Sequence, residues 1–332
     1  MARYLQDQNK VVWQHESGTY TFTSGPGFWP GQVTEHTIDD EEGKITSRFL
    51  GTANRNFDTV EQGPRDLTGT LTYHPTDMRM VFIAIGSVHE VIDSAGGSSV
   101  HFATQVETNV QANAFTSGVL NPPRSFTLED SKQSPGTGRN FIRTVKGCIP
   151  NVMTLTATQG EKITVAIDYI AEDIEITSGA TTAITEPTIT PYLWSSASLT
   201  IAGSDIGTPK EIVLEINQNL EAPHYLNGSR QIGVPFPQNR ENTLSVTVDW
   251  EGNDADFMYN ALYKDNATFN TVFDLNQDTT GSQHTIFTLS GCRFMKPDIP
   301  STNEGPTEVT FDIIAQSITG SAYDTGSSIN PF

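Results

Sequence analysis

Ordered blocks of this chain recur further along it, and that repetition constrains the fold more than any single motif does. Asp66-Leu-Thr-Gly-Thr-Leu-Thr-Tyr73 alternates as a strand does, then gives way to His74-Pro-Thr-Asp77 and the apolar run Met78-Arg-Met-Val-Phe-Ile-Ala-Ile-Gly86. Displaced by 177 residues, Thr243-Leu-Ser-Val-Thr-Val-Asp-Trp250 alternates again, followed by Glu251-Gly-Asn-Asp254 and Ala255-Asp-Phe-Met-Tyr-Asn-Ala-Leu-Tyr263. Met78, Val81, Phe82 and Ile85 carry the i, i+3, i+4, i+7 spacing of a helix face, and Ala255, Met258, Tyr259 and Leu262 repeat it. Thr76 and Asn253 fall at N-cap positions. Asp77 and Asp254 then stand in the first turn, where a carboxylate meets the positive end of the helix dipole.

A second block repeats at another spacing. Phe141-Ile-Arg-Thr-Val-Lys-Gly-Cys148 matches Thr285-Ile-Phe-Thr-Leu-Ser-Gly-Cys292, and Ile163 to Ala171 matches Thr307 to Ala315, both at an offset of 144. Asp168 thereby falls on Asp312. The offsets, 177 against 144, differ by 33 residues, so the first copy carries extra chain, largely Ser87 to Arg124. A third, weaker match sets Phe49-Leu50…Arg55 against Tyr225-Leu226…Arg230.

These blocks predict a mainly β chain of two tandem homologous domains, each a β-sandwich or β-roll with one short helix. Strands are expected near 32–38, 45–50, 66–73, 126–130, 141–148, 152–158 and 162–171, and again near 197–202, 210–217, 243–250, 270–275, 284–292 and 307–316. The first domain spans 28–175 with its insertion at about 87–124, and the second spans 193–316. The Thr-rich stretch 176–192 reads as a linker, and 1–27 and 317–332 read as terminal arms.

Composition narrows the function. Lys and Arg number 19 against 39 Asp and Glu, a net charge of −20, which repels phosphates and argues against tight nucleic-acid binding. The apolar run Val81 to Ile85 is far too short to cross a bilayer. No basic region followed by an apolar stretch opens the chain, so assembly inside a cell is expected. Cys148 and Cys292 form no CxxC pair and read as buried hydrophobes.

A search for chemistry finds no site. The histidines at 15, 36, 74, 89, 101, 224 and 284 include no HxH, HxxxH or HExxH pair, and no GxSxG elbow occurs. Gly136-Thr-Gly138 lacks the third glycine of a dinucleotide loop and reads as a turn. Asp249, Asn253, Asp254 and Asp256 lack the glycine and terminal glutamate of an EF-hand, so helix capping is the better reading. The sequons at Asn227 and Asn266 carry no meaning without a secretory signal. Asp39, Asp40, Glu41 and Glu42 precede Gly43-Lys44 and read as a solvated hairpin tip between Thr34–Ile38 and Ile45–Phe49. No catalytic residue, metal ligand or cofactor is assigned.

The duplicated unit, "FLGTANRN…DLTGTLTYHPTDMRMVFIAIGS" answered by "GCRFMKPDIP…TEVTFDIIAQ", resembles the tail tube (major tail) proteins of long-tailed bacterial and archaeal viruses, in their two-domain form. The likeness covers most of 30–172 and 197–316. It implies a non-enzymatic virion protein, assembled in the host cytoplasm. Its subunits would form rings whose inner strands join into one barrel, and the rings would stack into a tube. The implied partners are further copies of the chain in a trimeric, pseudo-sixfold ring, other tail proteins, and genome DNA passing through without tight binding; no membrane partner is implied. Asp39, Asp40, Glu41 and Glu42, the insertion and the arms would supply contacts between subunits and rings. Related folds serve several tail roles, so a hub or decoration protein is an alternative. A carbohydrate-binding β-module is a weaker one, since Trp13, Trp29, Trp194 and Trp250 are scattered.

Overall fold

The computed structural model describes residues 9–16, 27–47, 59–93, 98–104, 125–133, 140–182, 184, 190–207, 209–226, 229–249, 253–276, 284–295, 297 and 308–325. Alternating Thr, Val and Ile make strands of most of them, because branched side chains fit a pleated surface with one buried face. The first half contributes β1 (Asn9–His15), β2 (Gly31–Ser47), β3 (Thr59–Pro75), α1 (Arg79–Ile85), β4 (Ser87–Asp93), β5 (Ser98–Thr104), β6 (Phe126–Gln133), β7 (Asn140–Thr158), β8 (Thr164–Ile170) and β9 (Asp173–Thr177). The second contributes β10 (Ala197–Ile201), β11 (Ser204–Ile206), β12 (Pro209–Asn217), β13 (Leu220–Glu221), β14 (Phe236–Pro237), β15 (Glu241–Asp249), α2 (Asn253–Asp256), β16 (Phe269–Asn276), β17 (His284–Phe294), β18 (Glu308–Ala315) and β19 (Ser317–Thr325). A π-helical stretch, Phe257–Tyr263, continues α2.

Among the described residues all pairings are antiparallel, and 17 strands form one connected network. Within it a long sheet runs β2-β3-β8-β7-β12-β15-β18-β17. A second layer is built from β1-β6-β7-β9 in the first half. In the second half it is β11-β10-β16-β17-β19, extended by β5 and β4. The short pair β13–β14 stands apart. The pairings of the two halves follow the same order: β1-β6-β7-β9 is answered by β10-β16-β17-β19, and β2-β3-β8-β7 by β12-β15-β18-β17. Register keeps step too: Ile142 faces Thr177 and Ile286 faces Ser321, both displaced by 144.

β7 and β17 each serve two sheets, and both change sheet at a Gly-Cys step. Asn140–Cys148 pairs with β6, whereas Ile149–Thr156 pairs with β8. Gly147 and Gly291 take left-handed φ of 66° and 64°, a turn costly for any residue with a Cβ. The cysteine that follows is buried, and its thiol donates to a carbonyl three residues back: Cys148 to Val145 at 3.5 Å, Cys292 to Leu289 at 3.4 Å. Burial pushes both thiols up, so they are small hydrophobes rather than nucleophiles.

Between the layers lies one continuous core, including Tyr73, Phe126, Tyr169, Phe273, Phe287 and Phe311. Helix α1 is seven residues long, too short to persist alone, and Met80 to Ile85 are all buried. The expected single apolar face is therefore an apolar cylinder. The reason is its place between the halves: Phe82 meets Phe287 edge-on at 6.2 Å.

Four expectations need correction. The residues read as an N-terminal arm include β1, which pairs with β6 and buries Val12 and Trp13 completely. The Trp13 ring packs on Phe28 at 5.1 Å. The C-terminal arm likewise begins as β19, with Ile318 buried. The acidic run is no hairpin tip: Asp39 to Glu42 lie within β2, paired with Thr68 to Arg65 of β3. The ribbon instead runs on to Ser47 and Thr59, and its tip falls outside the described residues. Finally, Thr76 does not cap α1. Its hydroxyl is buried without a hydrogen-bond partner, while Asp77 accepts from the Arg79 backbone at 3.1 Å. The Gly136–Gly138 turn, the match at Phe49–Arg55 and residues 105–124 of the insertion also lie outside the described residues.

Candidate assembly surfaces

One face of the long sheet is core; the other is polar and nearly uniform in chemistry. Cross-strand partners share a face, so register reads the surface row by row. One row runs Glu35, Thr72, Ala166, Thr154, Glu215, Thr243, Ile314. The next run Thr156, Val213, Ser245, Asp312 and Thr158, Glu211, Thr247, Thr310. Towards the β2 edge stand Thr37, Thr70 and Asp168, then Asp39 beside Thr68, then Glu41 beside Asp66. Hydroxyls tie the carboxylates down. Thr70 donates to Asp168 at 2.6 Å, Ser245 to Asp312 at 2.8 Å and Thr158 to Glu211 at 3.3 Å. The first row ends on a cation, Arg293 of β17 beside Ile314, and no other lysine or arginine stands in these rows. At the end of the sheet, Lys210 is held by Asp249 and Glu308, each at 2.7 Å.

The predicted contact residues divide by strand alternation. Asp39 and Glu41 belong to the polar face and are exposed. Asp40 and Glu42 point the other way, into ion pairs. Arg65 grips Asp40 with two bonds, Nε to Oδ1 at 2.6 Å and Nη2 to Oδ2 at 2.8 Å, and reaches Asp173 at 3.3 Å. The hydrogen bond from Arg65 holds the Asp40 carboxyl below the usual carboxylate range. Glu42 binds Lys44 and Arg230, and these hydrogen bonds lower it likewise. Arg230 also donates to the Gly63 carbonyl at 3.0 Å, and His224 faces Asp66 at 2.9 Å. His224 and Arg230 of the second half are thus fastened to the β2–β3 ribbon of the first. β2 itself pairs only with β3 among the described residues, which leaves its outer edge free.

Two buried polar clusters escaped the sequence reading. His36 of β2 shares a 2.8 Å hydrogen bond with the Tyr169 hydroxyl and faces Asp130 at 3.7 Å, and Arg143 pairs with the same Asp130. Burial pushes the Asp130 carboxyl up, but His36 and Arg143 together outweigh that and hold it below the usual range. Glu16 accepts from Ser125, from Thr127 at 2.7 Å and from the Gly147 backbone at 2.8 Å. Each cluster draws its members from distant strands, which explains why spacing along the chain carried no sign of it. Elsewhere Asp254 accepts from the Gly207 backbone at 2.8 Å and Asp256 binds Asn260 at 2.5 Å. Among the described residues no group of three or more His, Cys, Asp or Glu is placed to hold a metal ion.

A family model described as phage tail tube protein matches residues 17–322. The chain belongs to the phage tail tube protein family. As a tail tube family member it is a structural component of the virion tail, which assembles with itself and with other tail proteins. No curated protein matches it. No described helix is long and apolar enough to cross a membrane.

Proposed function

We propose that this tail tube chain is a duplicated two-domain subunit that closes head to tail into a ring. In this reading the rings stack into a conduit for genome DNA. The observation that carries it is the pairing of β7 with β12, Val152–Thr158 against Asn217–Glu211. It joins the last strand of one four-strand unit to the first strand of the next, edge to edge. The same step can be repeated between copies, because β2 is the counterpart of β12 and its edge is free. At the far end of the sheet, β18 meets β17 only at Arg293 and Phe294 among the described residues. Three copies would close a barrel of three times eight strands, each edge consumed by its neighbour.

Closure puts the Thr- and acid-lined face on the lumen, with Asp39 and Glu41 on it at each new junction. A wall of that sign offers phosphates no attractive term, so DNA slides rather than binds. The chain's role is then structural rather than enzymatic. Electron microscopy of the purified protein at rising concentration and salt tests this. Rings with threefold or pseudo-sixfold views, stacking into hollow tubes, are the expected result. Monomers under every condition would overturn the ring, and closed single rings that never stack would point to a hub.

A further inference from the structure

The two halves treat one register-matched surface differently. On β19, Ile318, Gly320 and Ala322 face inward, and all are buried. Helix α1 of the first half lies on them. A Cβ on Gly320 would stand 2.8 Å from Phe82 Cε1 and 3.1 Å from Ile85 Cδ1, and Phe82 also packs on Phe287 beside it. Strand β5 then covers the outer edge of β19. Moved back by 144 residues, the same surface is Ile174, Ile176 and Ser178, with Arg143 in the place of Phe287. Arg143 and Ile176 are cross-strand partners, as Phe287 and Gly320 are. Among the described residues nothing covers the position: Ile176 is 61% exposed.

The helix that would cover it is the second one. Moved forward by 177 residues, Phe82 becomes Tyr259, on the π-helical stretch that follows α2. Met258 and Leu262 are buried beneath that stretch, whereas Tyr259 and Tyr263 are half-exposed, their rings 5.6 Å apart. A two-ring aromatic face and an exposed isoleucine are complementary, apolar area meeting apolar area, while the guanidinium of the neighbouring Arg143 stays paired with Asp130.

We propose that Tyr259 and Tyr263 of one copy dock on Ile176, beside Arg143, of the next, repeating between copies the contact that α1 makes on β19 within one. The proposal rests on the head-to-tail ring, and adds to it the residues that meet outside the barrel. The occupant is a second copy of this chain because the intrachain contact already shows what covers the equivalent surface. Ile176 takes more room than Gly320, so the aromatic face stands further off than Phe82 does. No counterpart of β4 and β5 follows the second helix, where β16 begins at Phe269 soon after Tyr263. The contact between copies is consequently smaller than the one within the chain.

The test uses the full chain. A protein carrying Ile176→Cys and Tyr259→Cys, assembled and treated with a short bis-maleimide, should give covalent dimers and trimers on a denaturing gel. Each single variant should give none, since Cys148 and Cys292 are buried. Separately, Ile176→Asp should leave the circular dichroism and unfolding midpoint of the chain unchanged. It should also raise the concentration at which rings appear by at least tenfold. Wild-type rings in the microscope, with no cross-linking of the cysteine pair and unchanged assembly of Ile176→Asp, would overturn this docking and leave the ring standing. A wild-type chain that forms no ring would remove the ring and the docking together.

Discussion

Glu16 ends the first strand with its carboxylate enclosed by Ser125, Thr127 and the Gly147 backbone, only 3% exposed. Glu16→Ala strands those three donors in the interior. Unpaired buried groups cost roughly 1–3 kcal/mol each before relaxation, so a loss of about 3 kcal/mol in urea unfolding is expected. Glu16→Gln, which keeps one acceptor, should lose less. Gly147→Ala asks a Cβ to sit at φ 66° and should cost about 1 kcal/mol, read in the same experiment. Asp130 makes a pH prediction. Its folded carboxyl lies below the usual range, so its contribution is complete above the unfolded value of about 3.9 and is lost as pH falls through the lower folded value. Arg143→Met removes the guanidinium but not the burial, which raises the folded value. The variant should therefore be less stable at neutral pH and lose less on acidification, visible as a denaturant midpoint that is lower at pH 7 and flatter than the parent's as pH falls.

At the scale of elements, α1 and the β4–β5 hairpin act as one clamp between the halves, since the helix packs on β19 and the hairpin pairs with it. Replacing residues 87–104 by a short flexible link uncovers the edge of β19. Hydrogen exchange of Thr319 to Thr325 should then speed up, while β8 and β15 keep their protection. The alternating strands of the long sheet were legible in the sequence, as was the helix after each of β3 and β15. Period-two and period-3.6 patterns are local properties of the chain. The Gly-Cys step was legible as a repeat but not as a change of sheet, since nothing local says which strands will flank it. β1 was missed although Lys10-Val-Val-Trp-Gln-His15 carries β-branched and aromatic residues, because a single short run gives no alternation to measure. The acidic run misled for a physical reason. Asp-Asp-Glu-Glu-Gly has turn composition, yet Arg65 across the ribbon, Lys44 on the same strand and Arg230 from the other half neutralise half of it and let the strand continue.

Taken whole, the molecule concentrates acid and threonine on one sheet face and keeps basic side chains away from its central rows. If that face lines a lumen, charge reversal there should create a DNA-binding tube without disturbing the core. Asp39→Lys, Glu41→Lys, Asp168→Lys and Asp312→Lys together should leave assembly intact in the microscope. They should bring salt-sensitive DNA retention in a filter assay, where the wild type retains none at about 0.15 M salt. Retention lost on doubling the salt would mark contacts to phosphate rather than to bases. The strands β7 and β17 add a mechanical consequence. Because each is a single covalent element belonging to two sheets, the layers are bolted together through the backbone and not only through interdigitated side chains. A shearing load on one layer is carried across the sandwich by peptide bonds at Gly147-Cys148 and Gly291-Cys292, so the two layers cannot slide past one another without first unzipping a strand.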